Sequence, residues 1–417
     1  MRVTKAFYFN PDLIANHITE CFGLDCGYTK QICDIDIPDN FTVAYVTGES
    51  GSGKSTILNE VFPNYRNEDI PHDKPLYQWC GETENDEHKA IRLLSLCGLS
   101  DATMFISFYD TLSDSEKARA RMFLELASNK EIIVIDEFLS TLDRKTAKAL
   151  AYCFQKAIRI EGKRLFAVTA HDDLEDYLQP DVIIKGKSYP SKFSVVQKCV
   201  TPKNPFIENI VFKYVDKSDY KDLDLAELHY KGKYTGGTKE YLFAYLGDEV
   251  IACLVSTYNM STGGRRISRV VVHPSYRGVG IGCAIVHKYI SDYPDTDVVA
   301  AMALYNPIFE KAGMTRVTDS IIKSPSGLKK DIESLGFDTS KWFSRSYCLN
   351  FCSDLKVREV IAKYAKHCTK LVQPAGAHLT PEQIAELILT DARTCGRVLY
   401  QLRDRSMAKF INLTNVE

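Results

Sequence analysis

The chain of 417 residues lacks any apolar run near the ~20 residues that span a bilayer. Its opening, MRVTKAFYFNPDLI, lacks the apolar core of a secretory signal. These absences predict a cytoplasmic protein without membrane association. Charge of one sign is also missing, since 52 Lys and Arg stand against 54 Asp and Glu. Any nucleic-acid role must then rest on a local patch. Thirteen cysteines are present, yet none form a C-x-x-C pair. The loose groups Cys21, Cys26, Cys33 and Cys348, Cys352 have no zinc spacing. Scattered thiols in odd number fit a reducing compartment, where they act as small buried hydrophobes. Internal repeats and low-complexity segments are absent as well.

Hydrophobic residues at 45% and charged residues at 25% describe ordinary globular domains, and the length calls for two or three of them. Residues 1–200 alternate β-rich runs with helical stretches, the pattern of an α/β fold. A Pro- and Lys-containing stretch, CVTPKNPF at 199–206, reads as a linker. Residues 207–348 form a second α/β unit, and 350–417 read as helices, broken at VQPAGAH.

Chemistry concentrates in two glycine loops. The first, Gly48-Glu49-Ser50-Gly51-Ser52-Gly53-Lys54-Ser55, follows the apolar strand FTVAYV and opens a helix. Its backbone N–H groups and the helix N-terminus make a phosphate site. Gly48, Ser50, Gly51 and Gly53 belong to that loop, and Thr56 follows it on the helix. Lys54 can reach the β- and γ-phosphates of a bound nucleotide, and Ser55 can hold Mg²⁺. The strand IIVIDE at 132–137 ends in Asp136, a second Mg²⁺ ligand through water. Glu137 beside it is the candidate base for the attacking water.

Three further segments fall in a telling order: Leu112-Ser113-Asp114-Ser115-Glu116 before this strand, Ser140-Thr141-Leu142-Asp143 after it, and His171 after RLFAVT. With them the N-terminal part resembles the ABC ATPases. That resemblance implies two ATP molecules sandwiched in a head-to-tail homodimer. Lys54, Ser55, Asp136, Glu137 and His171 of one subunit would face Ser113 of the other. One departure stands out. The family's LSGGQ is LSDSE here, which brings Asp114 and Glu116 near a phosphate site. Gln78 is the candidate for the family's Q-loop glutamine, and Phe7 and Tyr28 are candidates for stacking on adenine.

The second loop lies in ISRVVVHPSYRGVGIG at 267–282, ahead of the helix CAIVHKYI. A strand carrying Val271 and Val272 leads into Arg277-x-x-Gly280-x-Gly282, with Gly278 shaping the turn. Glycines let the backbone approach a pyrophosphate and aim its N–H groups at it. This lead and motif resemble the GNAT acyltransferases, as does the hairpin at 240–258. The resemblance implies acetyl-CoA or another acyl-CoA as donor, direct attack by an amine, and an oxyanion held by a strand N–H. Asn306-Pro307-Ile308-Phe309-Glu310-Lys311-Ala312-Gly313-Met314 resembles the family's closing segment. Phe309, however, replaces the tyrosine that commonly protonates the departing thiolate. Tyr305 is the nearest substitute, and His229 and Tyr230 are candidates for the acceptor side.

The combined order resembles a family of ABC ATPase–GNAT fusions from archaea, bacteria and phages. Phage GNAT proteins of the Mom type modify DNA bases, so a nucleic acid is the candidate acceptor. The cationic residues Lys356, Arg358, Lys363, Lys366, Lys370, Arg393, Arg397, Arg403, Arg405 and Lys409 could form the local patch. The rival expectation is a non-catalytic regulator that senses acyl-CoA.

Overall fold

The computed structural model describes residues 2–6, 12–23, 29–188, 191–228, 237–259, 263–300, 307–342, 344–367 and 380–412. They divide into one unit of residues 1–298, 305–315 and 411–417, and another of 299–304 and 316–410.

In the first unit, β1 (Arg2–Ala6) pairs antiparallel with β2 (Thr29–Asp34), and α1 (Leu13–Phe22) lies between them in sequence. The run VAYVTG becomes β3 (Val43–Gly48), whose first five residues are buried. It leads straight into α2 (Lys54–Val61). Next come α3 (Glu84–Leu96), α4 (Ala102–Phe105) and α5 (Asp114–Ala127). They are followed by β4 (Ile132–Ile135), α6 (Arg144–Ile160), β5 (Arg164–Val168), α7 (Glu175–Leu178), β6 (Val182–Ser188) and β7 (Ser191–Gln197). The strand order is β4-β5-β3-β6-β7. All neighbours are parallel except β7, which closes the edge antiparallel to β6. Near-continuous apolar runs such as IIVI suit strands covered on both faces. One strand, β5, separates the two loops that carry Lys54 and Asp136.

The hairpin expected at 240–258 is present as β9 (Thr238–Leu246) and β10 (Glu249–Tyr258). Gly247, at φ +60°, supplies the left-handed residue of its turn. Before it stand β8 (Ile210–Val215) and α8 (Lys217–Asp222). After it follow β11 (Arg265–Val272), α9 (Ile281–Asp292), β12 (Thr296–Ala300) and α10 (Ile308–Lys311). The order β12-β11-β10-β9-β8 is antiparallel except for the β11–β12 pair. That pair runs only from Arg265↔Thr296 to Ile267↔Val298. Val271 and Val272, farther on, pair with Cys253 and Ala252 on the β10 side.

The second unit holds most of β13 (Thr315–Ile322), then α11 (Leu328–Ser334), α12 (Arg345–Phe351), α13 (Leu355–Ala362), α14 (Pro381–Thr390), α15 (Ala392–Gln401) and β14 (Arg405–Ile411). Its core gathers Ile332, Trp342, Cys348, Cys352, Ile384, Cys395 and Leu399. Trp342 Nε1 donates to Leu399 O at 2.8 Å. Two helical expectations are corrected here. The stretch expected as one helix from Thr380 to Ile411 is cut at Asp391, whose carboxylate caps a new helix by accepting from the N–H groups of Arg393 and Thr394. Its last residues form β14, because pairing with β13 overrides a weak helical preference.

Candidate functional site

At the first loop, Gly48 has φ +143° and lies against β6, where an added Cβ would sit 2.1 Å from Gly186 O. Only glycine permits that approach, so the close packing of β3 on β6 shapes the loop. Lys54 Nζ is drawn back over the loop and donates to Gly48 O at 2.8 Å and Glu49 O at 2.9 Å. It is buried, whereas Ser50, Gly51 and Ser55 are exposed and Gly53 and Thr56 half-buried. Among the described residues, nothing bonds the buried Ser52 hydroxyl. A buried cation on neutral carbonyls and an orphaned hydroxyl fit a polyanion in this cradle.

At the end of β4, Asp136 accepts from the Glu137 N–H at 2.9 Å. Glu137 is exposed, has φ +51°, and its carboxylate accepts from Ser140 Oγ at 2.7 Å. Ser140 Oγ is 3.4 Å from Thr169 Oγ1, which accepts from the His171 N–H at 3.3 Å. The His171 carbonyl accepts from Tyr45 OH and, at 2.7 Å, from Thr47 Oγ1. Hydroxyls thus connect the Glu137 turn to the His171 turn. A cavity of about 380 Å³ opens beside Asp136 and Glu137, lined also by Glu68, His72, Arg121 and Glu125.

Ser113 is exposed at the N-terminus of α5, and Glu116 caps it. The Glu116 carboxylate accepts from Ser113 Oγ at 2.7 Å and from Ser113 N–H at 2.9 Å. The donors expected to meet a phosphate are therefore held by a carboxylate of the same helix. Gln78 ends the short helix Leu76–Gln78. Phe7, Tyr28, His229, Tyr230 and Tyr305 lie outside the described residues.

At the second loop, Arg277 is half-buried, its Nε donating to Val272 O at 3.3 Å and its Nη1 standing 3.9 Å from Asp101. The three glycines have different reasons. Gly278 faces the N-terminal part: its Cβ would meet Cys153 Sγ at 2.8 Å and the Gly98 backbone at 3.1 Å. Gly280, at φ +99°, caps α9. Gly282 is buried, and its Cβ would press on Ile308 Cδ1 at 2.8 Å. Among the described residues, nothing accepts from the N–H groups of Gly278 to Cys283. Free donors at a helix N-terminus fit a pyrophosphate. Phe309 is buried, so its ring packs in the core.

The GNAT acetyltransferase family model matches residues 208–308. Curated ABC-type relatives match as well. Methionine import ATP-binding protein MetN 1 of Lactiplantibacillus plantarum is 34% identical over 86 residues, 21% of this chain and 24% of that protein. The chain joins an ABC-ATPase-like part to a GNAT domain. MetN of Streptococcus pyogenes serotype M6 is 27% identical over 164 residues, 36% of this chain and 46% of that protein. The chain thus spans less than half the length of these curated relatives. Among solved structures, the dimeric ATP-binding cassette MJ0796 with ADP and Pi covers 44% of this chain and 91% of its own, at 18% identity and TM-score 0.32. The MJ1267 cassette in its ADP conformation covers 44% and 87%, at 15% identity and TM-score 0.28.

Sequence reasoning missed what joins the GNAT loop to the ABC-like part. Arg119 on α5 is buried and donates to Cys97 O, Arg277 O, Pro274 O and Ser275 O, at 2.9 to 3.3 Å. Asn204 Nδ2 donates to Val279 O at 2.7 Å. The stretch 199–206, read as a linker, ends in buried Phe206, whose ring lies against Tyr152, Tyr177 and Tyr276. In the second unit, Lys356, Lys363, Lys366, Arg393 and Arg397 are exposed. Arg358 and Arg403 are instead half-buried, donating to the carbonyls of Leu389 and Tyr400. Lys370 and the side chains of Arg405 and Lys409 lie outside the described residues. Among the described residues, no helix is long and apolar enough to cross a membrane.

Proposed function

We propose that this protein is an ATP-hydrolysing, acyl-CoA-dependent N-acyltransferase acting on an amine, with a nucleic acid base as the candidate acceptor. The observation that carries the reading is the second loop, where the N–H groups of Gly278 to Cys283 stand without acceptors among the described residues, at the start of α9. We assign residues 1–200 to the ATPase, 207–348 to the acyltransferase and 350–417 to a C-terminal segment, and place the protein in the cytoplasm. ATP with Mg²⁺ supplies a phosphoryl group for transfer to water, and acyl-CoA supplies an activated acyl group. Lys54, Thr56 and the loop of Gly48, Ser50, Gly51 and Gly53 hold the phosphates, and Ser55 and Asp136 hold the metal. Glu137 orients the attacking water and His171 lies beside the γ-phosphate, with Ser113 of a second copy closing the site in a homodimer. In the GNAT domain, Val271 and Val272 line the thioester, the oxyanion is held by a strand N–H, and Arg277, Gly278, Gly280 and Gly282 cradle the pyrophosphate. Tyr305 returns the proton to the leaving thiolate.

A second reading is favoured by Phe309, which has no proton to give. In it the domain binds acyl-CoA and regulates the ATPase. One experiment separates the two. Radiolabelled acetyl-CoA is incubated with the full chain, ATP–Mg²⁺, and either DNA, RNA or small amines. Label on an acceptor, lost in Lys54→Ala and slowed at least tenfold in Tyr305→Phe, is the outcome expected for the enzyme. Binding of acetyl-CoA with no transfer to any acceptor leaves the regulator. Gly280 variants are poor tools for this purpose. An added Cβ meets Asn204 Nδ2 at 3.3 Å, and φ +99° strains any side chain.

A further inference from the structure

Arg119 is 2% exposed, and its guanidinium donates to the carbonyl oxygens of Cys97, Pro274, Ser275 and Arg277, with the Cys153 thiol beside it. Among the described residues, no carboxylate lies within ion-pair distance of it. Burial, and then the nearby Arg277 charge, push its pKa down, yet a guanidinium stays protonated at neutral pH. A buried cation without a counter-ion calls for an explanation. Three of its four acceptors belong to the turn that runs into the R-x-x-G-x-G loop.

The connection is electronic as well as steric. The Arg277 carbonyl and the Gly278 N–H belong to one peptide group, as do the Val279 carbonyl and the Gly280 N–H. Arg119 and Cys153 Sγ bond the first carbonyl, at 3.2 and 3.4 Å. Asn204 bonds the second at 2.7 Å. A donor on a peptide oxygen polarises the group and strengthens its N–H as a donor. The ABC-like part and the stretch 199–206 thus fix the orientation and raise the acidity of the N–H groups offered to a pyrophosphate. They also place a positive charge behind the loop. Gly98 keeps the contact close, because a Cβ there would strike Arg119 Nη1 at 2.1 Å and Arg277 O at 2.7 Å.

Arg119 shares α5 with Ser113, six residues and about 9 Å away along the axis. A rigid α5 would carry a change at its start to Arg119. We infer that Arg119, supplied by the ABC-like part, is a positioning residue of the acyl-CoA cradle, and that through α5 it makes acyl-CoA affinity depend on bound nucleotide. The inference rests on the acyl-CoA reading above. Linkage requires that acyl-CoA change nucleotide affinity by the same factor.

The test uses the full chain carrying Glu137→Gln, so that ATP persists, with acetyl-CoA titrated by calorimetry with and without ATP–Mg²⁺. ATP is expected to change the acetyl-CoA Kd by about fivefold or more. Adding Arg119→Ala should weaken acetyl-CoA by about tenfold, the usual effect of losing a hydrogen-bonded charge, and erase the ATP dependence. Arg119→Lys keeps the charge without the fork, so it should recover part of the affinity but not the ATP dependence. It decides the matter where circular dichroism shows the alanine variant unfolded. A folded variant with parental Kd and parental ATP dependence overturns the inference. An acetyl-CoA Kd indifferent to ATP in the parent overturns the coupling. Failure of the parent to bind acetyl-CoA at all overturns the acyl-CoA reading itself, and this inference with it.

Discussion

Glu137 and Leu139 both sit at positive φ, +51° and +56°, on either side of Phe138, whose N–H donates to Val168 O at 2.7 Å. That bond pins the turn to β5 and obliges its neighbours to accept left-handed backbone, which costs a side-chain-bearing residue about 1 kcal/mol. The turn holds the carboxylate out toward solvent. Two substitutions separate its chemistry from its backbone. Glu137→Gln should lower ATP hydrolysis at least a hundredfold in a steady-state phosphate-release assay. Parental turnover in that variant would remove Glu137 from the reaction. Glu137→Gly and Glu137→Ala both lose the carboxylate, and urea unfolding should find the glycine variant more stable by about 1 kcal/mol. Lys54, Asp136 and Glu137 were legible because their spacing around strand ends is local. Arg119 was not, because its partners are backbone carbonyls as much as 158 residues away. A carbonyl leaves no trace in the amino-acid code.

The start of α5 shows what an element can disguise. Ser113-Asp114-Ser115-Glu116 carries the S-x-x-E pattern of a helix cap, and the structure uses it as one. Read as a departure from LSGGQ, the same Glu116 looked only like unwanted charge beside a phosphate. It caps the helix, and the bonds that stabilise the helix start also occupy the Ser113 hydroxyl and N–H. Glu116→Gln keeps a capping side chain and removes the charge. On the Glu137→Gln background with ATP–Mg²⁺, sedimentation should show dimer at several-fold lower protein concentration than the parent. An unchanged monomer–dimer balance would take Ser113 out of the inter-subunit contact. The strand before the first glycine loop was readable from its unbroken apolar run, and β11 from VVV ahead of its glycines. The end of the chain was not, because β14 owes its form to β13, some 90 residues earlier.

Across the whole molecule, the segment 199–206 matters most. Its Pro and Lys content suggested a loose tether, yet Gln179 bonds Lys203 through both its amide groups, and Phe206 fills an aromatic pocket made by both parts. Phe206→Ala should cost about 3 to 5 kcal/mol and speed tryptic cleavage at exposed Lys203. Cleavage as fast in the parent as in the variant would make the stretch a tether after all. Such a seam bears on inheritance. A gene exchange that brought in only a foreign acyltransferase half would leave Arg119 buried without the carbonyls of Pro274, Ser275 and Arg277, and Phe206 without Tyr276. Each half has become part of the other's interior, so the two should descend together, with substitutions at Gly98, Arg119, Cys153 and Gly278 occurring as a group.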